Sequence, residues 1–126
     1  MGGRWNRPGT VVAYASPSKA LAILEYLANV DASTAPSNLV IATADFDEDM
    51  IDRTPPPVGW DAIGSNTAKA HGELWIAERR SAVLAVPSVV VPGDENYVIN
   101  PHHPDFPLMR IHPDVEAYVI DSRFFR

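Results

Sequence analysis

Glu25 is the residue in this sequence best placed to do chemistry. On a helix starting near Pro17, at about 100° per residue, it shares a stripe with Leu21, Leu24 and Ala28, so a carboxylate lies on an apolar face. A carboxylate leaves water at considerable cost unless it is partnered. Two readings follow, a structural ion pair or an acid at the edge of a cleft. In the second, a carboxylate preset in a partly dry pocket would stabilise positive charge developing on a bound molecule.

Four further side chains qualify. Arg4 stands in Gly2-Gly3-Arg4-Trp5-Asn6, where the glycines let backbone approach a ligand closely and the guanidinium offers a planar fork matched to phosphate oxygens. An arginine so placed can equally be solvated. Tyr14 alternates with Val12 on one face of an apolar strand, either as core packing or as a stacking surface for a ring. Ser88 follows Val86-Pro87, and Pro87, unable to donate to a ladder, belongs at a strand end or bulge. No Gly-x-Ser-x-Gly elbow surrounds Ser88, which makes it a hydrogen-bonding serine rather than a nucleophile. Asn100-Pro101-His102-His103-Pro104 sets an amide and two imidazoles on a stiff loop. The histidine spacing, with His71 and His112 included, matches no zinc pattern, so no metal is expected.

The elements that must position these residues are short. Residues 10–15 read as a buried strand, and Ser16 with Pro17 reads as a helix start, serine as cap and proline at the first helical position, the helix running to about Ala28. A second apolar strand covers 38–43, and the acidic stretch 45–52 reads as a solvated loop with one helical turn. After Pro55-Pro56-Pro57, Ser65 caps a second helix that ends near Arg79 and Arg80. Strands then follow at 81–86, 88–91, 97–99, 108–111 and 115–120. Strands grouped with a few helices predict an α+β fold of compact mixed and antiparallel sheets, in one domain spanning 1–126.

Composition removes several classes. The 126 residues contain no cysteine, which excludes a thiol nucleophile, a disulfide framework and cysteine-ligated zinc. A formal charge of −6 argues against direct nucleic-acid binding. No apolar run reaches the roughly 18 residues of a membrane span. The expectation is a cytoplasmic protein with no membrane association.

Taken in order, these segments resemble the RES domain, the toxin half of a bacterial toxin–antitoxin pair, named for an Arg, a Glu and a Ser. Gly3-Arg4-Trp5-Asn6 with Gly9, then Val12-Ala13-Tyr14-Ala15-Ser16, then Ala20-Leu21-Ala22 leading to Glu25, are similar to the family's opening motif. Gly72 and Trp75, Val86-Pro87-Ser88, Glu95-Asn96-Tyr97, Asn100-Pro101 with His103-Pro104, and Asp121-Ser122-Arg123 are similar to its second half. Family members usually carry a segment ahead of the Arg motif, and this sequence opens almost on it.

The resemblance implies that the three family residues are Arg4, Glu25 and Ser88, on an ADP-ribosyltransferase-like fold. It implies consumption of NAD by hydrolysis, phosphorolysis or ADP-ribosyl transfer, with NAD as substrate and no resident cofactor. Arg4 would clamp the pyrophosphate, Tyr14 would stack on the nicotinamide side, and Glu25 would bond the ribose hydroxyls. Ser88 and Asn100 would orient the ligand. It also implies a helical, Xre-type DNA-binding antitoxin that plugs the cleft, with a toxin homodimer in the complex. The alternatives are a non-catalytic module that recognises a nucleotide or a protein and, last, a metal hydrolase using His102 and His103.

Overall fold

The computed structural model describes residues 3–30 and 36–125. Its central sheet has the strand order β1-β6-β5-β4, built from β1 (Ala13–Ala15), β4 (Ile51–Asp52), β5 (Val83–Pro87) and β6 (Glu95–Ile99). The β1–β6 and β6–β5 pairs are antiparallel, while β5 and β4 are parallel. Two small antiparallel ribbons stand apart from this sheet. They pair β2 (Leu39–Ile41) with β8 (Glu116–Tyr118), and β3 (Ala44–Asp45) with β7 (Arg110–Ile111). With α1 (Lys19–Asn29) and α2 (Asn66–Ala77), the described residues form the α+β fold that the sequence pattern predicts. No described helix is long and apolar enough to cross a membrane.

Alternation along the strands divides the core in two. On one sheet face Leu84, Val86 and Val98 pack with Trp5 and with Ala68 and Trp75 of α2. On the other, Val83 and Ile99 pack with Met50, Ala82 and Met109. Trp75 is wholly buried, and its indole N–H donates to Ser81 Oγ at 2.8 Å, so its polar edge is satisfied. Gly72 is required because the chain at Trp5 crosses α2 there, and a Cβ at position 72 would fall on the Trp5 carbonyl. That crossing lays Trp5 against Trp60, ring centroids 5.7 Å apart, and edge-on to His71.

Four local expectations change. The strand expected at 10–15 shortens to β1, which is an edge strand and mostly exposed rather than buried, because only β6 pairs with it. Helix α1 begins two residues later than the Ser16-Pro17 reading. Ser18 is its cap, accepting from Leu21 N at 3.1 Å, while the Ser16 hydroxyl is taken by Asn96. The acidic stretch does hold a helical turn, the 3-10 segment Glu48–Met50, but β3 and β4 flank it. The strand expected at 88–91 is a turn, in which Val91 N donates to Ser88 Oγ at 3.0 Å.

Candidate functional site

Helix α1 carries Glu25 to one end of the sheet. Of the stripe it shares, Leu21 is buried, Glu25 is half-buried, and Leu24 and Ala28 are exposed. The apolar stripe is therefore narrower than its sequence suggests. Neighbouring positions Ala22, Ile23 and Tyr26 border a cleft of about 1040 Å³ instead.

Glu25 Oε1 accepts two hydrogen bonds, from Ser88 Oγ at 2.6 Å and from Asn96 Nδ2 at 2.8 Å. Register explains the meeting. Asn96 pairs with Val86, and Ser88 lies two residues beyond Val86, so both side chains emerge on the face that holds Leu84 and Val98. Pro87 ends β5 opposite Glu95, beyond the reach of β4, so its missing N–H costs no ladder bond. Ser88 is thereby committed. Its hydroxyl donates to Glu25 and accepts from Val91 N, so its single donor hydrogen is taken by the carboxylate.

Tyr14 pairs with Val98 and so points to the same face as Asn96. The residue is 47% exposed, and its hydroxyl donates to Asn6 Oδ1, which also accepts from Gly3 N at 2.9 Å. Burial, helped by the nearby Glu73 carboxylate and opposed by the Trp5 backbone, raises the Tyr14 pKa above the ordinary phenol value. The phenol stays protonated near neutrality and is a donor, not a base. Asn6 is almost fully buried and ties the segment together, because its Nδ2 donates to the carbonyls of Arg7 and Thr10.

The two glycines ahead of Arg4 were expected to admit a ligand. Gly2 lies outside the described residues, and Gly3 lies against the Tyr14 ring, where a Cβ would collide. Arg4 Nη1 donates to the carbonyls of Trp60 at 3.1 Å and Ala62 at 3.2 Å. Its remaining N–H groups meet no acceptor among the described residues. It can thus brace the loop and still present part of its fork to an anion.

Asn100 stands elsewhere. It follows the opposite end of β6 from Asn96, four residues or roughly 13 Å along the strand. There its Oδ1 accepts from His102 N at 3.0 Å and its backbone N–H donates to Ala82 O at 2.8 Å. It closes the turn after β6 and borders a second cavity of about 470 Å³ with His102 and His103. His103 Nδ1 accepts from Asp105 N, so its Nε2–H is the donor to Arg79 O at 3.1 Å. Both ring nitrogens are occupied, and among the described residues no three acidic or histidine side chains converge on a metal position.

The larger cleft lies mainly against the other sheet face, lined by Tyr97, Ile99 and Met109. Arg4, Glu25 and Ser88 do not line it, and Tyr14 on the edge strand borders it. We place the candidate site at Glu25, where a held carboxylate lies on the sheet face that also presents the Tyr14 ring, rather than in the larger apolar space. The residue that sequence reasoning missed is Asn96. It sits inside the matched Glu95-Asn96-Tyr97 motif, but only the β5–β6 register carries it to Glu25.

Comparison with known proteins bears on this arrangement. Residues 1–121 match the RES domain. A protein named Prs ADP-ribosylating toxin, from Sphingobium sp., is 35% identical over 132 residues, covering 99% of this chain and 81% of that protein. Proteins named Toxin Res resemble it too. The one from Pseudomonas putida is 30% identical, covering 98% of this chain and 86% of its own; the one from Photorhabdus laumondii is 32% identical, covering 83% and 70%. With a match across nearly its full length and relatives above 30% identity, the chain belongs to the RES domain family.

Proposed function

We propose that this chain is the toxin of a bacterial toxin–antitoxin pair and that it depletes NAD by cleaving the nicotinamide–ribose bond. The observation that carries this reading is the Glu25 carboxylate, held by Asn96 of β6 and by Ser88 just after β5, on the sheet face that also presents Tyr14. The relative named as an ADP-ribosylating toxin supports the substrate class. In this reading Arg4 binds the pyrophosphate through its uncommitted N–H groups, and Tyr14 stacks on the nicotinamide side. Glu25 accepts from the hydroxyls of the nicotinamide ribose.

Cleavage sends the electron pair of the glycosidic bond to the nicotinamide nitrogen and leaves positive charge on the sugar. A fixed carboxylate stabilises that charge, and one such preorganised electrostatic element is typically worth about 100- to 1,000-fold in rate. Water, phosphate or a protein side chain then takes the ADP-ribosyl group. Free nicotinamide released from NAD by the purified chain tests the activity, and product identity with and without inorganic phosphate identifies the acceptor. The partner is an Xre-type antitoxin acting in the cytoplasm and covering the site. Growth arrest on expression of this chain alone, relieved by the antitoxin, is the expected outcome, and normal growth with intact NAD contradicts it.

A second reading rests on one observation. Two saturating donors on Glu25 Oε1 and two loop carbonyls on Arg4 are also what a purely structural network requires. A non-catalytic module of this fold would bind NAD in a calorimeter without releasing nicotinamide.

A further inference from the structure

Both donors to Glu25 reach the same oxygen. The carboxyl torsion of a glutamate is soft, so an isolated Glu25 would sample many orientations. Here Oε1 is anchored from β6 by Asn96 and from the turn after β5 by Ser88, while Oε2 meets no donor among the described residues. The arrangement fixes one oxygen and leaves the other for a hydroxyl outside the protein. Had each donor taken a different oxygen, each would already hold an anchoring bond.

Both donors are held from behind, Ser88 by the Val91 backbone and Asn96 by the Ser16 side chain, and Asn96 is the one whose donor and acceptor are different atoms. An amide has almost the same outline in either sense, with oxygen and nitrogen exchanged. The carboxylate decides the sense, because the amide oxygen against Oε1 would set lone pair against lone pair. Nδ2 therefore faces Glu25, and Oδ1 faces the Ser16 hydroxyl, which donates to it at 2.7 Å. Ser16 follows β1 and lies level with Asn96 across the sheet, so the lock is built on paired strands.

We propose that Asn96, locked by Ser16, is a positioning residue that sets which oxygen of Glu25 meets the substrate; this rests on the NAD-cleaving reading of the site. Asn96 touches the carboxylate and not the reacting atoms, so its loss lowers kcat more than it raises KM. Misplacing a reacting group by about an ångström costs on the order of 100-fold.

The experiment measures nicotinamide release from NAD, with melting curves confirming folded protein, for the wild type and for Asn96→Ala, Asn96→Asp and Ser16→Ala. Asn96→Ala is expected to lose about 10- to 100-fold in kcat with KM within about threefold. Asn96→Asp keeps the size and the acceptor for Ser16 but sets a second carboxylate against Oε1, so its kcat falls below that of Asn96→Ala. A residue that mattered only for packing gives the reverse order, since aspartate fills the same space. Ser16→Ala frees the amide and lowers kcat by a smaller factor. Folded Asn96 variants with wild-type kcat, or an aspartate variant more active than the alanine one, overturn the proposal. If neither Asn96 variant folds, unchanged kcat in Ser16→Ala overturns it. A wild type that releases no nicotinamide overturns the function reading, a different result from any of these.

Discussion

At the scale of single residues, the site consists of one acid and the groups that hold it. Ser88 supplies one of two donors to Glu25, so Ser88→Ala is expected to lower kcat by roughly tenfold, far less than the 100- to 1,000-fold expected of Glu25→Ala. Single-turnover kinetics with folded variants checks the ranking, and equal losses would mean that Ser88 acts on the substrate directly. Tyr14 divides into a ring and a hydroxyl with separate tasks. Tyr14→Phe removes the donor to Asn6, at about 1 kcal/mol of stability, but keeps the ring and should leave KM for NAD nearly unchanged. Tyr14→Ala should raise KM. With the phenol pKa raised by burial, no acid or alkaline limb of the rate profile near neutrality belongs to Tyr14.

At the scale of elements, the site depends on a crossing of chain over helix and on the register of three strands. Gly72→Ala forces a Cβ into the Trp5 carbonyl and is expected to cost about 1–3 kcal/mol. Because Trp5 sits between Arg4 and Asn6, thermal midpoint and NAD binding should fall together; a fully stable variant would contradict the crossing. Much of this was legible beforehand. The apolar stripe with an acid in it announced α1, Ser65 announced α2, accepting as cap from Ala68 N at 3.1 Å, and Pro87 announced a strand end. What pattern could not supply was pairing. Nothing local marks β1 as an edge, distinguishes Ser16 from Ser18 as the cap, or reveals that Asn96 rather than Asn100 reaches Glu25. Those facts follow from which strands lie side by side, a long-range choice that a residue's neighbours in sequence do not encode.

For the whole molecule, the buried histidine of α2 makes stability depend on pH. His71 lies edge-on to Trp5, near the ion pair of Arg80 with Asp52, and its Nε2 has no hydrogen-bond partner among the described residues. Burial, then repulsion from Arg80, lowers its pKa below the ordinary 6.5, against the opposing pull of the Thr54 backbone and Asp52. Below that ordinary value the unfolded chain binds a proton that the folded one resists, so stability falls as pH drops below about 6.5 and levels off beneath the folded pKa. Melting curves from pH 7.5 to 5 should show this loss, and His71→Gln should flatten it; an unaltered slope would assign the effect to other groups. The central claim concerns Glu25, and nicotinamide release from NAD by the purified chain tests it most directly. Wild-type protein should release nicotinamide steadily, and folded Glu25→Ala should do so about 100- to 1,000-fold more slowly. Equal turnover in the two, or none in the wild type, would contradict the claim.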